Sequence, residues 1–145
     1  MPRKTGFQPP KPMSKKKNIQ SREEMEKLAP VAVAPVQRHV LVCTGKSCLA
    51  VGGDKVKEAF ESRLERDGIR FGKEKKGRNP EGPVVLTECG SVGFCSIGPA
   101  VLVYPEGVWY AQVSPEDVDE IVNEHLVDGR IVERLALIEK FGEKK

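Results

Sequence analysis

The sequence predicts an α/β fold: a mixed sheet with helices packed on it, entered through a basic tail without regular structure. Three observations lead there. Short runs rich in β-branched residues recur between positions 39 and 113. Two longer stretches repeat apolar residues at helical spacing and open on capping residues. The first 37 residues hold many prolines and lysines but almost no apolar periodicity.

The tail comes first. MPRKTGFQPPKPMSKKKNIQ (1–20) cannot bury enough apolar surface to offset the entropy of ordering, so it reads as disordered. SREEMEKLA (21–29) reads as a short helix, with Ser21 as its cap and Glu24 three residues on. PVAVAPVQ reads as an extended linker, which sets a tail over 1–37 and a folded domain over 38–145. The run Lys15-Lys16-Lys17 reads as a solubilising segment, with steering of an acidic partner as its other role.

Within the domain, HVLVCTG (39–45) is a short apolar run ending in a glycine turn, hence a buried strand. Gly52-Gly53-Asp54 then opens a helix from about Lys55 to Asp67, whose Val56, Ala59, Phe60 and Leu64 share one face before Gly68 stops it. IRFG begins a second strand, and KEKKGRNPEG is a polar loop. PVVLTEC (83–89) is a third strand, and AVLVYPEGVWYAQV (100–113) is a hairpin around Pro105-Glu106-Gly107. SPEDVDEIVNEHLVDG (114–129) is a helix with Ser114 as cap, Pro115 in the first turn and Asp117 completing a capping-box pattern. Its buried stripe is Val118, Ile121, Val122 and Leu126, and the following IVERLAL adds a strand or packs across the sheet. Gly98-Pro99 is a candidate cis bond. One crossover helix, a hairpin and a closing helix give a mixed sheet covered by helices.

Charge and composition exclude several classes. The net charge of +3 averages a tail of +5 and a domain of −2, so the domain lacks the basic face that nucleic-acid binding needs. No apolar run approaches the roughly 18 residues of a membrane helix, and no signal-peptide core follows the basic start. The expectation is a cytoplasmic protein with reduced thiols, in which four cysteines mean metal or redox chemistry more than a disulfide frame. No Ser-His-Asp or Cys-His arrangement is readable, and His39 and His125 read as surface or half-buried residues. The loop Arg70–Arg78 carries five basic residues against Glu74 and reads as a solvated loop, or else as a dock for an acidic redox partner. Trp109 and Tyr110 read as core or dimer-contact residues.

The chemistry lies in the cysteines. Cys43 and Cys48 flank TGKS where the first strand runs out, and Cys89 and Cys95 lie where the third strand runs toward the hairpin. If those strands are parallel neighbours, both loops leave the sheet at one edge and four sulfurs can converge. Structural zinc favours tighter pairs than gaps of four and five. A [2Fe–2S] rhomb takes two thiolates on each iron and needs a wider spread. Gly45, Gly90, Gly93 and Gly98 let backbone N–H groups approach bridging sulfides.

CTGKSCLAVGG, together with GFCSIGPAVLVYPEGVWYAQVSPEDVDEIVNEHLVDGRIVERL, resembles the thioredoxin-like [2Fe–2S] ferredoxins. That family includes the small iron–sulfur subunit of respiratory NADH dehydrogenase and of related hydrogenases. The resemblance covers roughly residues 38–137. It implies a thioredoxin-like fold, a [2Fe–2S] cluster, one-electron transfer without catalysis, and dimerisation or incorporation into a larger redox complex of dehydrogenase or hydrogenase type. Cys43, Cys48 and Cys95 match three of the family's four ligands, and the fourth position holds Ser91.

Three outcomes follow from that departure. Cys89 supplies the thiolate, Ser91 ligates through oxygen, or no cluster forms and the domain serves as an interaction module docking on a dehydrogenase or hydrogenase. A thiol–disulfide role ranks last, because no Cys-x-x-Cys precedes a helix.

Overall fold

The computed structural model describes residues 18–93, 95–140 and 142, so the disorder expected for the extreme N-terminus lies outside the described residues. The chain gathers into two units, 1–33 and 34–145. In the first, Ser21 accepts a hydrogen bond from the Glu24 N–H and starts helix α1 (Arg22–Leu28), as its capping pattern predicts. Pro30–Ala32 form a 3₁₀ turn where the sequence suggested an extended linker.

The second unit is built on a five-stranded sheet in the order β2-β1-β3-β4-β5. The strands are β1 (Arg38–Cys43), β2 (Val84–Cys89), β3 (Val101–Tyr104), β4 (Val108–Tyr110) and β5 (Ala136–Ile138). β1 and β2 run parallel, and the other neighbours are antiparallel. The parallel pair needs a crossover, which two helices supply: the short α2 (Lys46–Ala50) and the longer α3 (Gly53–Arg66). After the hairpin, α4 (Asp117–Glu120) continues as a π-helix over Ile121–Val127.

Alternation along the strands separates two faces. Val40, Val42, Val101, Val103, Val108 and Tyr110 point to one, where Val56, Phe60 and Leu64 of α3 meet Val118, Ile121, Val122 and Leu126 of the C-terminal helix. Leu41, Thr87, Leu102 and Trp109 take the opposite face. Burying a side chain such as Phe60 or Leu64 stabilises the fold by about 1.5–3 kcal/mol. The Ser114–Asp117 hydrogen bonds form, with Asp117 Oδ2 accepting from the Ser114 N–H and hydroxyl at 2.9 Å each, but the helix begins at Asp117 with Glu116 as its N-cap, two residues later than predicted.

Three readings are corrected. IRFG makes only isolated bridges, Arg70 with Val84 and Phe71 with Asn79, because Arg70 is drawn to α3, donating to Glu65 at 2.7 Å and lying 3.4 Å from Glu61. Arg70 is therefore a buried structural residue, not part of a solvated basic loop. His125 is fully buried, not half-exposed. The Tyr110 hydroxyl accepts from the Val132 N–H at 3.0 Å and lies 2.8 Å from His125 Nδ1. Nε2 faces Glu106 at 3.3 Å, and Glu106 also accepts from Arg38 at 2.9 Å. A proton on Nε2, beside the carboxylate, lets Nδ1 accept from the tyrosine. Burial keeps the His125 pKa below its usual value despite Glu106, and burial pushes the Tyr110 pKa up to about 12.

Candidate metal centre

The sulfur site is set by register. β1 and β2 pair from Arg38 with Val84 through to Cys43 with Cys89, so two cysteines end neighbouring parallel strands side by side. Cα partners in a parallel pair point to the same sheet face, the one that also carries Leu41 and Thr87. The Cys43 thiol donates to the Gly90 carbonyl at 3.0 Å, and the Cys89 thiol to the Val42 carbonyl at 3.6 Å. The Thr44 N–H closes the ladder on the Cys89 carbonyl at 2.8 Å.

Cys48 comes from α2, a helix the sequence did not announce. KSCLA is one turn long, too short for an apolar period to be legible, and Cys48 is its buried residue. Cys43, Cys48 and Ala100, each at 0% exposure, form a small apolar cluster apart from the main core, and Cys89 and Val92 pack against it. Cys95 opens a 3₁₀ turn, Cys95–Ile97, which lies against α2. The Gly98–Pro99 bond that follows is cis. Cys43 and Cys89 thus end the paired strands β1 and β2, Cys48 lies in α2, and the turn that Cys95 opens rests against α2. Ser91 is exposed, and its hydroxyl accepts from the Gly93 N–H at 3.3 Å.

Two glycines bring these segments together. A Cβ on Gly53 would lie 2.7 Å from the Cys43 carbonyl and 2.9 Å from the Cys48 carbonyl. A Cβ on Gly45 would lie 3.2 Å from the Ser91 nitrogen. The first contact holds both cysteines of the first loop against the start of α3, and the second holds that loop against the second. The two histidines stand elsewhere. His39 is four residues before Cys43, about 13 Å along the strand, and it meets Thr87 Oγ1 at 2.7 Å. His125 belongs to the buried network described above.

The donor set suits a thiolate-bound group. Three sulfurs share an apolar pocket whose other walls, Ala100 and Val92, offer no competing side-chain ligand. Soft sulfur donors are the ligands that iron–sulfur groups take.

A five-stranded mixed sheet with cysteine loops gathered at the end of its parallel pair defines a thioredoxin-fold metal–thiolate protein. The comparisons agree with that class. Residues 30–126 match the model of the thioredoxin-like [2Fe–2S] ferredoxins, and the chain belongs to that family. A 2Fe–2S ferredoxin of Aquifex aeolicus (strain VF5) is 40% identical over 108 residues, covering 69% of this chain and 88% of the relative. A 2Fe–2S ferredoxin of Clostridium pasteurianum is 37% identical over 101 residues, covering 70% of this chain and 96% of the relative. The crystal structure of the wild-type Aquifex aeolicus thioredoxin-like [2Fe–2S] ferredoxin superposes with a TM-score of 0.59 at 36% identity, over 71% of this chain and 98% of that one. A variant of that ferredoxin with one cysteine replaced by serine superposes with a TM-score of 0.58 at 39% identity, covering 70% and 98%. No helix among the described residues is long and apolar enough to cross a membrane.

Proposed function

We propose that this chain is a one-electron carrier whose [2Fe–2S] cluster is held by Cys43, Cys48, Cys89 and Cys95. The cluster, when bound, supplies a single reversible electron. The chain's residues supply the thiolates, the apolar wall and the glycine contacts that set the loops.

One observation carries the ligand assignment. Cys89 ends β2 in register with Cys43 and packs on the Cys43–Cys48–Ala100 pocket, whereas Ser91 is exposed two residues on. A thiolate there matches the softness of the other three donors, which a serine oxygen does not. Burial of Cys43 and Cys48 restrains solvent around their sulfurs, one of the protein's levers on reduction potential.

The rest of the reading follows the family. The domain 38–145 carries the cluster and 1–37 is a basic appendage. The protein has no catalytic residue of its own and works in the cytoplasm. Its partners are redox proteins of the dehydrogenase or hydrogenase kind, with a second copy of the chain as a further partner.

Anaerobically purified protein should be brown, hold about two irons and give a paramagnetic signal on reduction. Cys89→Ala should lose most of that iron, and Ser91→Ala should keep it. Iron retained in Cys89→Ala and lost in Ser91→Ala would transfer the role to the serine. A colourless, iron-free wild type would leave the interaction-module reading.

A further inference from the structure

Cys43 and Cys89 are held in register at the ends of neighbouring parallel strands. Adjacent strands run about 4.8 Å apart, and a disulfide spans Cα separations of about 4.4–6.8 Å. Both side chains leave the same sheet face, so they stand side by side. Their thiols also lean toward each other's strand. Cys43 on β1 donates to the carbonyl of Gly90, the residue after Cys89, at 3.0 Å. Cys89 on β2 donates to the carbonyl of Val42, the residue before Cys43, at 3.6 Å. Each sulfur therefore reaches over the seam to the place where the other is anchored.

The two thiols differ in access. Cys43 has no exposed surface, whereas Cys89 is half-buried on an outer strand of the sheet. The space beside Cys89 is open, since a Cβ placed on Gly90 meets nothing within 4 Å. An oxidant in solution meets Cys89 first and reaches Cys43 only through it. That is the arrangement of an attacking thiol and a resolving thiol. Cys48 packs in the same pocket from α2, so a Cys43–Cys48 bond is the competing pairing.

We propose that Cys43 and Cys89 form a reversible disulfide in the metal-free chain, and that this bond bars cluster loading until it is reduced. The Cys89 thiolate attacks a small disulfide such as oxidised glutathione, forming a mixed disulfide and releasing one thiol. The Cys43 thiolate then attacks the Cys89 sulfur, the mixed bond breaks, and the second thiol leaves. Two protein thiols give up two electrons and two protons, and one small disulfide becomes two thiols. The bond is a state of this site and not exchange catalysis on other proteins, for which no Cys-x-x-Cys precedes a helix. The pairing stands apart from the cluster reading above, and only the bar on loading rests on it.

The test uses the full-length chain, freed of iron by a chelator under reducing conditions. It is treated anaerobically with oxidised glutathione and quenched with an alkylating agent. Two of the four thiols should disappear, and peptide mapping should join the Cys43 peptide to the Cys89 peptide. Cys48→Ser should form the same bond, and Cys89→Ser should not. In urea the short-range pairs Cys43–Cys48 and Cys89–Cys95 should dominate instead, because short loops close at lower entropic cost. A Cys43–Cys48 bond in native buffer, or the same mixture with and without urea, would overturn the proposal. Offered iron and sulfide, the oxidised chain should bind about tenfold less iron than the reduced chain, because the metal needs those thiolates, and dithiothreitol should restore uptake. Equal uptake by the oxidised and reduced chains would overturn the bar on loading. A reduced wild type that binds no iron would instead strike the cluster reading, and the peptide map would still decide the pairing.

Discussion

Gly53→Ala is the sharpest probe of how the site is held. The new methyl would meet the Cys43 carbonyl at 2.7 Å and the Cys48 carbonyl at 2.9 Å, where ordinary contact begins near 3.4 Å. Both obstacles are backbone atoms, so neither can swing aside as a side chain would. Overpacking of this kind costs about 1–3 kcal/mol. Alanine returns roughly 0.5–1 kcal/mol by stiffening the unfolded chain and favouring the helix. The net expectation is a loss of about 1–2 kcal/mol. Urea unfolding followed by circular dichroism measures it as a lower midpoint at unchanged slope. Gly90→Ala is the control, because a Cβ there meets nothing within 4 Å. The visible spectrum should change in Gly53→Ala, whose methyl displaces two cysteine carbonyls. Equal stability of the two variants, with the wild-type spectrum kept in Gly53→Ala, would refute the claim that this close approach sets the cysteine loop.

Two more outcomes follow from the buried network. Tyr110→Phe removes the acceptor for the Val132 N–H and the contact to His125 Nδ1, so it should cost about 2–3 kcal/mol by chemical unfolding. For pH, burial holds the His125 pKa below 6.5, so the unfolded chain takes up that proton first as pH falls. Folding stability from this group is therefore complete above about pH 6.5 and declines below it, until the folded state's own pKa is passed. Urea midpoints between pH 7.5 and 5 should fall for the wild type and fall less for His125→Gln. A flat wild-type profile would mean that His125 is solvated.

Much of this architecture was legible because periodicity and capping agreed. HVLVC, VVLTEC and the PEG hairpin became strands, Ser21 became a cap, and Ser114 bonded the Asp117 its spacing implied. The meeting of the cysteine loops was legible for a topological reason: both follow strands, and parallel neighbours deliver their ends to one edge. Other features depend on contacts that no local pattern records. IRFG has a strand's composition, but the α3 carboxylates take Arg70 and leave only bridges. α2 is a single turn whose inward residue is a cysteine, so no stripe marks it. The burial of His125 depends on Tyr110, Glu106 and Arg38, which lie distant in the chain. The choice between positions 89 and 91 turns on which one reaches the Cys43–Cys48 pocket, a matter of register that spacing alone does not contain.

β2 is an outer strand of the sheet, and its two ends are guarded unequally. Near Val84 its free side is bridged by residues 69–71, with the Phe71 N–H on the Val84 carbonyl at 2.7 Å. At Cys89 its ladder partner is β1. The unclamped edge lies at the sulfur-bearing tip, so amide protons near Cys89 should exchange with solvent before those in the middle of β1, which has a strand on each side.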